Sequence, residues 1–249
     1  RRLFILLIIG AIVVAFGAVL SIATVYEAPS CTDGVQNQDE AGVDCGGSCA
    51  YLCVAALQSP TVLFTQSFTD QTTGRTVVVA SVENKNATAA ARDVPYRVTV
   101  YGVNQTLIQS IPGTLDLPPG ATATVFIPGI MSGRQTVVSA FLDIDASSIR
   151  WFTMATDPRI VPGVSNTLQS GSVDMPRVDA TLVNGSVTAL KNGQVGAMVR
   201  DARSNVIAAS GTVVPTISAQ SSATATFSWN TAFSGIPASI EVVPVIPLP

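Results

Sequence analysis

The stretch RTVVVASVENKN (residues 75–86) has a counterpart, RVDATLVNGS (residues 177–186), and both runs of strand-forming residues end on an asparagine, Asn84 and Asn184. Val, Ala and Thr in such runs suit a pleated, half-buried strand better than a helix. An asparagine after a strand closes its own turn through its side chain and tolerates the left-handed region. The correspondence continues outward at a period of about one hundred residues. Tyr101 in VTVYGVNQTLI meets Arg200 in AMVRDARSNVI, and LPPGATATV (residues 117–125) meets Ile217, Ser218, Ala219 and Gln220, followed by ATATF (residues 223–227). A Leu-Pro-Pro-Gly element turns the chain and cannot continue a central strand. The Ala-Thr alternation after it starts a strand with one face inward.

Working outward, VLFTQSFTD, RTVVVASVEN, VPYRVTVYGV, TLIQSIPGTL and TATVFIPGI read as strands of a first block. VDATLVNGS, GQVGAMVRDA, NVIAASGTVV, ATATFSWNT and SIEVVPVI form a second. Short strands at turn-separated intervals predict sandwiches. Trp151 and Trp229 read as core or sheet-covering aromatics rather than ligand stackers.

The chain has 249 residues, 47% hydrophobic and only 12% charged, with a net charge of -3. That leaves room for sizeable cores and offers no basic footprint for nucleic acid. Histidine is absent, which removes Ser/His/Asp and Cys/His machinery and the commonest metal ligand. Lys85 and Lys191 sit in turn-like stretches without an S-x-x-K context. Neither a phosphate-binding nor a dinucleotide-binding glycine loop is found. Asp143 and Asp145 alternate as if on one face of a strand and read as solvated carboxylates rather than an acid/base pair. The expectation is a protein without catalytic activity, small-molecule substrate or organic cofactor. Sequons at Asn86, Asn104 and Asn184 mean surface sugar only in a glycosylating host.

Residues 3–26, LFILLIIGAIVVAFGAVLSIATVY, carry no charge and follow Arg1 and Arg2. A bilayer core of about 30 Å needs about 20 apolar helical residues, and a cleaved signal's apolar region normally runs about 7–15. A single membrane span is therefore predicted, contacting the lipid bilayer through residues 3–26. Arginines on one side and Glu27, Asp33, Asp39, Glu40 and Asp44 on the other place the N-terminus in the cytoplasm and the bulk outside.

All four cysteines, Cys31, Cys45, Cys49 and Cys53, fall in CTDGVQNQDEAGVDCGGSCAYLC. Clustered thiols outside a membrane predict two disulfides, with three pairings open, and the lack of paired C-x-x-C knuckles disfavours zinc. Asp33, Asn37, Asp39 and Asp44 are candidate calcium ligands, since that cation takes roughly six to eight oxygens from flexible acidic loops. The competing reading has these side chains capping turns.

The cysteine string resembles the motif C-x-D-G-x-x-N-x-x-E-x-x-x-D-C-G-G-x-C-x-x-C of secreted and surface proteins, with Ala50, Tyr51 and Leu52 lengthening the last gap. That resemblance implies an extracellular module. The repeats resemble the FxLYD-type domain, a small immunoglobulin-like sandwich of bacterial and archaeal envelope proteins. Val98, Thr99, Val100, Tyr101 and Gly102 keep that family's Tyr and lack its Asp, whereas Ala197, Met198, Val199, Arg200 and Asp201 keep the Asp alone. The layout is similar to single-pass envelope proteins of candidate-phylum bacteria. It implies an all-β ectodomain of two tandem immunoglobulin-like β-sandwiches, residues 57–157 and 158–249. Before them come a cytoplasmic stub with one transmembrane α-helix, residues 1–27, and a short disulfide-rich collar, residues 28–56. The function expected is structural or adhesion-type protein binding at the cell membrane. The alternative is an accessory subunit of a larger envelope assembly such as a secretion, pilus or surface-layer complex.

Overall fold

The computed structural model describes residues 2–25, 30–37, 39–70, 72–131, 135–191 and 193–249. Tyr26 and Glu27, on which the expected membrane flank drew, lie outside the described residues. The chain divides into two compact units, Arg1–Ala50 and Tyr51–Pro249. The first opens with α1 (Arg2–Val25), 24 residues without an acidic residue in the first turn or a basic one in the last. Its described side chains are exposed, Phe4 at 69% and Phe16 at 67% among them. Among the described residues no helix is long and apolar enough to cross a membrane.

The second unit is all β. Its first half comprises β1 (Thr61–Thr69), β2 (Arg75–Glu83), β3 (Ala89–Gly102), β4 (Leu107–Leu117), β5 (Thr122–Met131), β6 (Val137–Ile144) and β7 (Trp151–Thr153). The second half comprises β8 (Gly163–Gly171), β9 (Pro176–Asn184), β10 (Gly193–Arg200), β11 (Val206–Val214), β12 (Ser221–Ser228) and β13 (Ser239–Val245). In the first half β1-β2-β5 faces β4-β3-β6, with β7 added to β3; in the second, β8-β9-β12 and β11-β10-β13 repeat the order. Strands β1 to β6 thus correspond in turn to β8 to β13, and β7 has no counterpart among the described residues. Every pairing is antiparallel.

Pleating decides which side chains meet, because successive residues of a strand point to opposite faces. On β2, Val78, Ala80 and Val82 turn toward β3 and join Val98, Val100, Leu117 and Trp151 in the first core. On β9 and β10, Val178, Leu182, Val195 and Ala197 build the second with Phe227. A third core joins the halves: Val79 and Phe126 on the outer face of β1-β2-β5 pack with Met198, Val206 and Ala209 of the opposing sheet. A Cβ on Gly196 would enter the Phe126 ring, so only glycine admits the ring there. Each large apolar side chain taken out of water here contributes about 1.5–3 kcal/mol.

Asn84 and Asn184 are fully buried. Asn84 Nδ2 donates to the carbonyls of Ala89 and Pro118, both at 2.8 Å. Asn184 Nδ2 donates to those of Thr188, Ser218 and Ile217 at 2.8, 3.0 and 3.1 Å. Each Oδ1 accepts from the backbone N–H two residues on, at Asn86 and Ser186, so the local turn closes as expected. Neither asparagine has a positive φ. The left-handed positions fall instead on the facing turns, at Gly120 (φ 57) and Gln220 (φ 52), where Gly120 N–H donates to Asn86 O and Gln220 N–H to Ser186 O.

Three strands, β6, β7 and β8, are not among the ten expected from sequence. Trp151–Thr153 is too short to show a period, and Gly163–Gly171 lacks an apolar alternation because all nine of its residues are exposed. Asp143 and Asp145 do not share a strand face. Asp143 pairs with Arg97 on β6, which ends at Ile144, and Asp145 caps the 3₁₀ turn after it by accepting from Ser147 N–H.

Candidate protein-binding edge and the acidic collar

The cysteine segment of the first unit is closed by a Cys31–Cys49 disulfide, and Cys45 and Cys53 are disulfide-bonded as well. Glu40, only 8% exposed, is its centre. Glu40 Oε2 accepts from the backbone N–H of Asn37 (3.2 Å) and Asp44 (3.3 Å), while Oε1 lies 3.1 Å from Cys49 Sγ. A bridged sulfur has no proton to give, so this last contact is a packing contact. Gly47 has a φ of +57, and a Cβ there would meet the Asp39 carbonyl. Glycine is required at that turn on both counts.

The four candidate calcium ligands serve different turns. Asp33 accepts from Ser30 N–H, Val35 N–H and Asn37 Nδ2 at 2.8–2.9 Å, and these bonds, Ser30 foremost, lower its pKa. Asp44 accepts from Gly34 N–H at 3.1 Å. Asp39 turns away to accept from Ser48 Oγ at 2.7 Å, which lowers its pKa too. Asn37 Oδ1 is buried and receives no hydrogen bond from the described residues. Among the described residues, the group of metal-ligating atoms within 4.8 Å of one another is Cys31, Glu40 and Cys49, whose two sulfurs are bonded to each other. In this arrangement Asp33, Asp39 and Asp44 accept the hydrogen bonds of local turns; Glu40, the acid at their centre, is legible only as the motif's lone glutamate.

Two clefts flank the third core. One, of about 510 Å³, is bordered by Asp93, Tyr96, Asp116, Arg159 and Gln194. Asp116 Oδ1 accepts from Asp93 N–H (2.9 Å) and Oδ2 from Leu248 N–H (2.6 Å). Arg159 pairs with Asp157 at 2.7 Å. The other, of about 760 Å³, holds Asp70, Arg75, Trp229 and Asn230. Asn230 Nδ2 donates to Asp70 Oδ2 at 2.8 Å and, with Thr73, draws the Asp70 pKa down to about 2. A carboxylate held that low is ionised near neutrality and makes a poor general acid or base. Trp151 is buried, and Trp229 packs edge-on against Phe233 with its indole N–H donated to Ala209 O. Lys85 lies 3.6 Å from Glu83. Of the sequons, Asn184 is closed to sugar by its burial.

The surface that stands out is β8. Its nine residues, GVSNTLQSG, are uncharged and exposed on both faces, and among the described residues its far side pairs with no strand. Its equivalent β1 is mostly half-buried. Edge strands are usually blunted by Lys, Pro or inward-pointing charge. β8 has only a bulge between Ser165 and Leu168, with Asn166 at φ +49.

No family model matches the chain, and no curated protein matches it. Among solved structures, the crystal structure of red sea bream transglutaminase is similar over 76% of this chain at 11% identity and a TM-score of 0.26. The chain spans 31% of that protein, and a likeness at this level carries no argument about fold or activity.

Proposed function

We propose that the protein is a non-catalytic, membrane-anchored binding protein whose immunoglobulin-like β-sandwiches capture an extended segment of a partner protein outside the cell. The observation that carries the reading is β8, a bare, uncharged edge strand with all nine residues exposed. Such an edge accepts a further strand through main-chain hydrogen bonds. The anchor is supported by α1. The sequence supports it as well, because residues 3–26 are an uncharged run and a bilayer core takes about 20 apolar helical residues. Apolar side chains exposed around the helix, such as Phe4, Leu7, Val14 and Phe16, are costly in water and at ease in lipid.

A photo-cross-linkable residue in place of Thr167 on β8 tests the reading in the full chain expressed in membranes. A discrete adduct is expected that disappears when Ser165→Pro distorts the edge strand, while alkaline extraction leaves the protein in the membrane pellet. An adduct unaffected by Ser165→Pro, or no adduct at all, overturns the binding edge. Release into the alkaline supernatant overturns the anchor.

A further inference from the structure

In the first half β7 completes the sheet by pairing Trp151, Phe152 and Thr153 with Ala91, Ala90 and Ala89, and Met154 N–H donates to Thr88 O at 2.8 Å. The three alanines are 0–1% exposed as a result. The second half has the same edge without the strand. The asparagine clamp aligns Thr188 with Ala89, because Asn184 donates to Thr188 O as Asn84 does to Ala89 O. Leu190 then pairs with Ile217 as Ala91 pairs with Leu117. Thr188 and Ala189 are exposed, Leu190 is half-buried and Val187 is 85% exposed. Among the described residues, the sheet β11-β10-β13 receives no fourth strand. After β13 the chain leaves for the first half, where Leu248 N–H meets Asp116.

We propose that residues 187–190 form a strand-acceptor site for an extended segment of a partner protein, which supplies the strand that β7 supplies in the first half. This rests on reading the second half as a strand acceptor, but at a different edge from β8. The chemistry of the incoming strand follows from what differs between the two edges. Arg92 lies over the Phe152 ring at 4.8 Å, and Lys191 holds the position equivalent to Arg92. A cation over a ring face is attractive, so the partner places an aromatic side chain beneath Lys191. The neighbouring residue is smaller than Trp151. Where the first half sets Ala91 beside Trp151, the second has Leu190, which takes up part of that volume. What remains is a cavity of about 20 Å³ bordered by Leu182, Leu190, Val195, Val214, Ile217 and Ile246, room for about a methyl group. The partner therefore brings a small aliphatic residue followed by an aromatic one.

The probe is the peptide of residues 149–155, IRWFTMA, carrying Trp151→Ala, titrated into the full-length protein in detergent micelles and followed by amide hydrogen exchange. Saturable binding with slowed exchange at residues 187–190 is expected. The unsubstituted peptide should bind at least about tenfold more weakly, because its indole and Leu190 compete for one space. Ala189→Pro in the protein should weaken binding about tenfold or more by removing a backbone donor from an exposed position. An unchanged near-ultraviolet circular dichroism spectrum shows that this variant is folded. Lys191→Glu, a surface change, should weaken binding severalfold. No saturable binding, equal binding of the two peptides, or indifference to both protein variants overturns the proposal. Protection that appears on Gly163–Gly171 instead also overturns it, while leaving the β8 reading standing.

Discussion

The two halves of the β unit follow one plan and differ in how far it is finished. Both carry six strands in the same order, the same buried asparagine clamp and a left-handed turn residue facing it, Gly120 in one and Gln220 in the other. In the first half β1 is mostly half-buried and β7 seals the opposite sheet with a Trp151 that is 1% exposed. In the second, β8 is bare along its whole length and the place of β7 is open. One plan thus yields a closed half and an open half, and three residues account for much of the difference. A free sheet edge leaves backbone donors and acceptors to water or to a partner, so under the proposed function the closed half is the support and the open half the working surface.

The comparison breaks most visibly at Trp151. Trp151→Ala should cost about 3–5 kcal/mol, the range for emptying a buried aromatic site, in urea unfolding. It should also bring the exchange of the Ala89, Ala90 and Ala91 amides up to that of Thr188 and Ala189. If those two amides already exchange as slowly as the alanines in the unaltered protein, the second half is not open. The clamps come next. Asn184→Ala and Asn84→Ala should each cost about 2–3 kcal/mol by stranding buried carbonyls. Asn184→Ala should be the larger, since its amide serves three acceptors against two.

The shared core is tested by Gly196→Val, whose side chain would enter the Phe126 ring. Overpacking of this kind costs about 1–3 kcal/mol and should split thermal unfolding into two calorimetric transitions; one sharp transition means that the halves do not depend on this core for their cooperativity.

The smallest effect is at Asp70, which bridges the halves through Asn230. Its folded pKa of about 2 lies below the ordinary 3.8. The stability it contributes is therefore present above pH 3.8 and is lost as pH falls through about 2. The melting-temperature difference between the unaltered protein and Asp70→Ala should shrink over that window, and a difference constant with pH removes Asp70 from the account.

Much of the first-order plan is legible locally. Asn84 and Asn184 mark strand ends, the Leu-Pro-Pro-Gly turn and its counterpart mark the same corner, and ten strands announce themselves by alternation or β-branched content. The third core is less visible. Its signal is the unbroken run Val77, Val78, Val79, Ala80, which is too apolar for a strand with one wet face, because strands buried on both faces lose alternation. β7 is shorter than any period, and β8 is polar because it is wet on both sides; the most informative edge is thus the least patterned. In the collar, cysteine spacing and oxygen density point to disulfides and acidic turns. Only the fold shows Glu40 buried at their centre and the Asp33, Asp39 and Asp44 carboxylates taken up by N–H and O–H donors.

By itself the order of residues determined the β class, the internal repeat, the oxidised cysteines and the apolar N-terminal helix. These follow from periodicity, turn chemistry and thiol spacing, which act over a few residues. The tertiary structure alone decided the Cys31–Cys49 pairing, the packing of the two halves through Phe126 and Gly196, and the open strand position beside residues 187–190. Each of these depends on which distant segments meet. A strand's own sequence states that one of its faces or edges must be covered, and leaves open which residues will do so.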